Sequence, residues 1–142
     1  MMFGGAQPTV SVPPPRLGPH SRVLVTGSRD WVDQAVVRAA LTAAWRDAGQ
    51  PLVVVHGACP TGADAMAEAW AVEHAVAGIE VERNPANWRL GGRGAGPVRY
   101  AAMVRAGAWR VVAFVRHHSP GASQCVLAAR RAGLDVRTWT AP

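Results

Sequence analysis

The sequence alternates short apolar runs with segments of helical period, and this alternation constrains the fold more than any other feature. Residues 23–26, 52–55 and 111–115 form apolar, mostly β-branched runs, and a glycine follows each of the first two within two residues. Between those two runs, apolar residues from Val36 to Trp45 recur at the spacing of one helix face. Strands that alternate with helices predict right-handed crossovers and a parallel sheet covered on both faces. We therefore expect an α/β fold.

Residues 1–21 and residues 22–142 differ in composition. The first segment is rich in proline and glycine, and proline lacks the amide donor that regular structure needs, so we expect a disordered tail there. In the second segment, strand-like runs continue at residues 79–83 and 136–139, and helices are expected to begin near Asp33, Thr61, Pro97 and Ala122. This order predicts one Rossmann-like domain, a three-layer sandwich with a mostly parallel sheet of about five strands.

Charge is divided unevenly along the chain. All fifteen basic residues are arginine. Residues 22–82 hold four arginines against eight acidic residues, a net of −4, whereas residues 83–142 hold ten against one, a net of +9. A positive half suits an anionic ligand, either a small nucleotide or a nucleic acid, although a solvated basic face would give the same count.

Several classes of protein and site are not expected. The apolar runs fall far short of the roughly 20 residues that cross a bilayer, and the first residues lack the pattern of a secretory signal. We therefore expect a cytoplasmic protein without a membrane partner. Cys59 and Cys125 are far apart and have no metal-ligand spacing around them, so neither a metal nor another cofactor is expected. The sequence leaves a homo-oligomer open.

Three strand-to-helix loops carry the chemistry of an anion site. In parallel sheets, ligands bind beyond the carboxyl ends of the strands. There the sequence places Gly-Ser-Arg at 27–29, a loop with glycine and threonine at 56–64, and small residues at 119–123. Backbone amides, hydroxyls and guanidinium groups bind phosphate, and a helix N-terminus adds the positive end of its dipole. We assign residues of these three loops to the site, together with three residues of the segment 88–99. The assigned residues are Gly27, Ser28, Arg29, His56, Gly57, Thr61, Gly62, Ala63, Asp64, Trp88, Gly96, Arg99, Gly121, Ala122 and Ser123.

Several residues have two interpretations. Asp64 either caps the second helix, where its negative charge interacts favourably with the helix dipole, or accepts a hydrogen bond from a ribose hydroxyl. His56 is either structural or an acid or base. Arg99 either reaches anionic oxygens or lies on the surface, and Trp31 and Trp88 are candidates for stacking on a base. Neither Gly-x-x-x-x-Gly-Lys-Ser/Thr nor Gly-x-Gly-x-x-Gly after the first strand is present, so a kinase or an ordinary dehydrogenase is not expected.

The sequence resembles the YspA-type, cpYpsA-related SLOG family in several segments that occur in the same order. These segments are residues 23–29, residues 56–64, and residues 95–99 with Met103. The similarity continues through residues 84–88 and 120–123 and spans residues 22 to about 139. The resemblance implies a Rossmann-like fold and a nucleotide or nucleotide-derived, phosphate-bearing ligand. It also implies a role as a ligand sensor in nucleotide signalling.

Two relatives within the wider SLOG superfamily supply alternatives. The lonely-guy phosphoribohydrolases cleave the base from nucleoside monophosphates, and the DNA-processing protein DprA binds single-stranded DNA. The lonely-guy pattern Arg-Lys-x-x-Met resembles residues 99–103, but Ala122 stands at the threonine and Cys125 at the glutamate that serves hydrolysis. Tyr100 replaces the asparagine of the YspA-type motif Gly-Pro-x-Arg-Asn. A thiol does not replace a carboxylate's charge, so the resemblance favours binding, with a nucleoside 5′-monophosphate N-glycosidase and a single-stranded nucleic-acid binder as alternatives.

Overall fold

Five parallel strands form one sheet in the order β3-β2-β1-β4-β5. The computed structural model describes residues 21–87, 89 and 92–142, so residues 1–20 of the tail predicted for residues 1–21 lie outside the described residues, and Ser21 is the first residue of a strand. The α/β sandwich is confirmed, and every pairing of the described strands is parallel. The strands are β1 (Ser21–Gly27), β2 (Leu52–His56), β3 (Glu80–Arg83), β4 (Arg110–Arg116) and β5 (Val136–Ala141).

In the described part of the chain, four α-helices connect the strands: α1 (Gln34–Ala48), α2 (Gly62–Glu73), α3 (Ala95–Ala106) and α4 (Pro120–Arg131). Asp33 caps α1 as predicted, because its Oδ1 accepts a hydrogen bond from the Val36 N–H at 3.1 Å. Gly49 ends α1 in the left-handed conformation with φ 67°. Helix α3 begins two residues before the predicted Pro97, since proline is tolerated in the first turn, where its missing N–H has no intrahelical acceptor. None of the helices in the described part of the chain is long and apolar enough to cross a membrane.

The side chains of β1 point alternately into two hydrophobic layers. Val23 and Val25 belong to the cluster that contains the buried residues of α1 and α2, with the fully buried Trp70 among them. Leu24 points the other way, into the cluster that contains Met103 of α3 and residues of α4. A strand presents successive side chains to opposite faces. Helices α1 and α2 therefore cover one face of the sheet, and α3 and α4 cover the other.

Trp31 belongs to the core rather than to a binding surface. Only 4% of its surface is exposed, and its ring centroid lies 5.5 Å from that of Phe114. The indole N–H donates a hydrogen bond to the Asp33 carbonyl at 3.0 Å, which satisfies the polar atom of a buried ring. The prediction that Trp31 stacks on a base is therefore wrong, because the loop after β1 folds this side chain inward.

The winding of the chain reverses between the neighbouring strands β1 and β4. After β1 the chain passes to α1 on one face, and after β4 it passes to α4 on the other. The loops that follow these two strands consequently diverge and leave a crevice at the carboxyl edge. Ser28 links the ends of β1 and β4: its hydroxyl accepts a hydrogen bond from the Arg116 N–H at 2.8 Å and donates one to the Arg116 carbonyl at 3.3 Å.

Candidate functional site

A cleft of about 620 Å³ occupies the carboxyl edge of the sheet at this reversal. It is lined by the ends of β1 and β4, the loop after β2, and the first turns of α3 and α4. Val25 of β1 and Met103 of α3 also line it. The residues assigned from the sequence that line the cleft are Gly27, Arg29, Gly57, Asp64, Gly96, Arg99, Gly121 and Ala122.

The other assigned residues do not line the cleft. Trp88 lies outside the described residues, and Ser123 lies beyond the lining within α4. The remaining five residues lie where the loops after β1 and β2 and the start of α2 pack together: Ser28, His56, Thr61, Gly62 and Ala63.

The start of α2 packs directly on the backbone of the loop after β1. Gly62 has φ +71°, and a Cβ at this position would meet the Ser28 carbonyl and lie 2.7 Å from the Arg29 carbonyl. The Thr61 hydroxyl donates to the same Arg29 carbonyl at 2.9 Å. Gly62 is therefore required for close approach of two main-chain segments. These residues fix the position from which Arg29 reaches the cleft.

His56 is held in one tautomer by two neighbours. Its Nδ1 accepts a hydrogen bond from the Ala58 N–H at 2.9 Å, so the proton lies on Nε2, which contacts Glu68 Oε1 at 2.8 Å. Arg83 also donates to Glu68, and this hydrogen bond is the main reason that the pKa of Glu68 lies below its usual value. His56 is 2% exposed and does not line the cleft, so these contacts favour the structural interpretation.

Asp64 holds the loop after β2 in a strained conformation. Its Oδ2 accepts from the N–H groups of Gly57 and Cys59, both at 3.2 Å, and Ala58 between them has φ +59°. Alanine rarely adopts this left-handed region, so the two hydrogen bonds stabilise a backbone that is costly by itself. Burial raises the pKa of the Asp64 carboxyl, while the hydrogen bonds from the Cys59 and Gly57 amides and the charge of Arg99 oppose that rise. Asp64 also lines the cleft.

Arg99 extends from α3 across the loop after β2. Its Nη1 donates to the Gly57 carbonyl at 2.9 Å, and a Cβ on Gly57 would lie only 2.9 Å from its Cζ. Its Nε is buried and has no hydrogen-bond partner in the described part of the chain. A buried donor without a partner costs free energy, and a ligand oxygen in the cleft would supply the missing acceptor.

Helix α4 points its N-terminus into the cleft without a side-chain cap. Ser119 occupies the N-cap position but makes no capping hydrogen bond, and Pro120 has no N–H. The Ser123 N–H bonds to the Ser119 carbonyl at 2.9 Å, which leaves the amides of Gly121 and Ala122 without an intrahelical acceptor. Free amides and the positive end of the helix dipole make this turn suitable for an anion.

Sequence reasoning missed Arg116, the last residue of β4, which lines the cleft. Its Nη1 donates to the Asp30 carbonyl at 2.9 Å, its Nε donates to the Pro142 carbonyl at 3.2 Å, and the Asp30 carboxylate lies 3.8 Å away. The available signal was its position directly after the apolar run 111–115, at the edge where ligands bind. Among the residues that the structure describes, the cleft is thus lined by three arginines, Arg29, Arg99 and Arg116, and by two aspartates, Asp30 and Asp64.

The inner wall beside α4 carries neutral groups. Cys125 is fully buried, and burial raises the pKa of its thiol, an effect that a hydrogen bond with the Thr26 side chain partly offsets. Burial also raises the pKa of Tyr100, whose hydroxyl donates a hydrogen bond to Gln124 Oε1. The position where the lonely-guy pattern has glutamate therefore holds an uncharged thiol. The described residues contain no group of three histidine, cysteine, aspartate or glutamate side chains arranged for a metal ion.

Comparison with known proteins places these features in a family. The model of the YspA, cpYpsA-related SLOG family matches residues 21–91, which include the strands β1 to β3. The Gene 61 protein of Mycobacterium phage D29 is 41% identical over 117 residues, covering 81% of this chain and 93% of that protein. No solved structure matches the chain. The chain belongs to the YspA, cpYpsA-related SLOG family.

Proposed function

We propose that the chain binds a nucleotide or nucleotide-derived, phosphate-bearing ligand in the cleft between β1 and β4. The observation that supports this proposal is the convergence of Arg29, Arg99 and Arg116 with the uncapped first turn of α4 on one cleft. Arginine binds paired phosphate oxygens, and helix amides bind single ones. Membership of the SLOG family, which suggests a nucleotide-related function, supports the same ligand class.

Each part of the cleft has a proposed task. The amides of Gly121 and Ala122 bind phosphate oxygens, and Arg99 donates to them through its unpartnered Nε. Asp64 mainly stabilises the loop after β2, because its Oδ2 already accepts hydrogen bonds from two main-chain amides. The apolar side of the cleft at Met103 receives the less polar part of the ligand. Gly27 and Gly57 line the cleft and allow close packing of the protein itself, because a Cβ would lie 2.5 Å from the Ala63 Cβ at the first position and 2.9 Å from the Arg99 Cζ at the second.

The residues that line the cleft support ligand binding without turnover better than they support catalysis. A hydrolase of the lonely-guy type needs a carboxylate where Cys125 presents a buried thiol whose pKa is raised. Asp64 is engaged in holding its loop. We therefore propose a cytoplasmic ligand sensor, and release of free base from a bound nucleotide would contradict this part of the proposal.

The first test is thermal unfolding of the protein with a panel of AMP, ADP, ATP, NAD, ADP-ribose and cyclic AMP. A ligand that binds only the folded state stabilises it by about 2.7 kcal/mol at a hundredfold excess over its dissociation constant. We expect one class of nucleotide to raise the melting temperature. If none does, and single-stranded DNA binds with a steep salt dependence, the nucleotide proposal is wrong and the nucleic-acid alternative replaces it.

The second test compares Arg99→Ala with Arg105→Ala, a matched control on the same helix. Arg105 is exposed in the last turn of α3 and does not line the cleft. We expect Arg99→Ala to weaken nucleotide binding by about 2 to 3 kcal/mol, the range of a charge-assisted hydrogen bond, and Arg105→Ala to bind like the wild type. Equal affinity of the two variants, measured by isothermal titration calorimetry, would remove Arg99 from the site.

A further inference from the structure

The turn between β4 and α4 contains two adjacent histidines in an unusual conformation. His117 and His118 have φ values of 53° and 50°, and the Ser119 N–H donates to the Arg116 carbonyl at 3.1 Å across them. A four-residue turn with positive φ at both central positions ordinarily carries glycine, asparagine or aspartate there. Here both positions carry an exposed imidazole.

The two histidines differ in what they face. His117 lines the cleft, whereas His118 does not. The His117 N–H donates to the Ala141 carbonyl at 3.2 Å, so the main chain of this residue is fixed by β5. Within the described part of the chain, no hydrogen bond or ion pair engages either imidazole ring. His117 therefore presents an unpartnered ring at the mouth of the cleft.

The neighbouring cation at the mouth is already engaged. Arg116 directs its Nε and Nη1 to the carbonyls of Pro142 and Asp30, and the Asp30 carboxylate partly neutralises it. An imidazole has at least one N–H donor in either protonation state, so His117 can donate to an oxygen without having to titrate. It lies two residues before Ser119, the N-cap of α4, where the free helix amides begin.

We propose that His117 is a ligand-contacting residue, whose imidazole donates a hydrogen bond to a phosphate oxygen of the ligand beside the α4 N-terminus. This inference rests on the proposed nucleotide function and adds a specific donor to that site. A phosphate oxygen is the partner that the position favours, because the turn joins directly onto the first turn of α4. His118 has the same backbone conformation without facing the cleft, and it contributes nothing to binding.

The test compares His117→Gly with His118→Gly. Glycine tolerates positive φ, so both variants keep the turn, and both remove one imidazole from the same loop. The wild type and both variants are titrated with ADP, ADP-ribose and inorganic pyrophosphate by isothermal titration calorimetry, and their thermal unfolding is recorded to show that they are folded. We expect His117→Gly to weaken binding about fivefold to tenfold, the value of one hydrogen bond, and His118→Gly to change it less than about twofold.

Each outcome has a defined meaning. A loss for His117→Gly with ADP and with pyrophosphate identifies the phosphate oxygen as the partner. A loss with ADP alone overturns the phosphate contact, because pyrophosphate has no base or ribose. Equal losses in the two variants overturn the inference in favour of turn flexibility, and wild-type affinity of His117→Gly overturns it outright. Failure of the wild type to bind these probes and every other nucleotide of the thermal-unfolding panel contradicts the proposed function itself, which separates the two failures.

Discussion

Replacing Gly62 by alanine tests whether the loop after β1 and the start of α2 are locked together. Gly62 has φ +71°, and the atoms that an added Cβ would meet are main-chain carbonyl oxygens of Ser28 and Arg29. A left-handed conformation costs an L-residue about 1 to 2 kcal/mol. Overpacking against atoms that do not move aside costs about 1 to 3 kcal/mol more. We therefore expect Gly62→Ala to lower the free energy of unfolding by about 2 to 5 kcal/mol, a large part of a typical total of about 5 to 15 kcal/mol.

Gly49→Ala is the matched control for this experiment. Gly49 has φ +67°, but nothing lies within 4 Å of the position that its Cβ would take. This variant carries the conformational cost alone, about 1 to 2 kcal/mol. Urea unfolding of both variants, with unchanged m-values, gives the difference directly. If Gly62→Ala loses no more stability than Gly49→Ala, the close packing of the two loops does not contribute to stability and our account of Gly62 is refuted.

Three further variants probe the core, the crevice and the pH dependence. Ser28→Ala removes both hydrogen bonds to the Arg116 main chain and should cost about 1 to 3 kcal/mol in urea unfolding; an unchanged midpoint would argue against the link between β1 and β4. Trp31→Ala should cost about 3 to 5 kcal/mol, and a surface-like loss below about 1 kcal/mol would contradict its burial against Phe114. Because hydrogen bonding to Arg83 lowers the pKa of Glu68, this carboxylate stabilises the fold above its usual pKa of 4.5 and loses that effect as the pH falls. Glu68→Gln should consequently lose less stability than the wild type as the pH falls from about 5 to 3. If the free energy of unfolding falls with pH equally in the two proteins, Glu68 does not contribute to acid sensitivity.

The architecture follows from local sequence patterns because each element is marked by its own residues. The β-branched runs of β1, β2 and β4 indicate buried strands, and Asp33 and Gly49 mark the two ends of α1. The sequence predicts the start of α3 two residues late, since a proline in the first turn is compatible with more than one helix start. Such boundaries depend on which amides find acceptors in the folded chain, and local patterns contain little information about them.

The sequence predicts where the candidate site lies in the fold better than it predicts which side chains line it. The rule for parallel sheets locates the loops at one edge, which is how Arg29 and Arg99 were found. The same rule does not say which loop residues turn toward a neighbouring loop, as Thr61 does when its hydroxyl bonds to the Arg29 carbonyl. The sequence does not single out Arg116 because it belongs to a strand, and Trp31 is a wrong candidate for base stacking because its inward turn depends on Phe114, in a strand far away in sequence.

The position of β1 in the centre of the sheet has a consequence for synthesis of the chain. One edge of β1 pairs with β2 soon afterwards, as in the pair Val23 and Val54, but the other edge waits for β4, where Val25 pairs with Val112. Until β4 leaves the ribosome, a growing chain presents an apolar strand with one open edge, which is a template for pairing with other chains. Completion of the sheet is consequently a late event, and its many long-range contacts predict slower folding than that of a helical protein of this size.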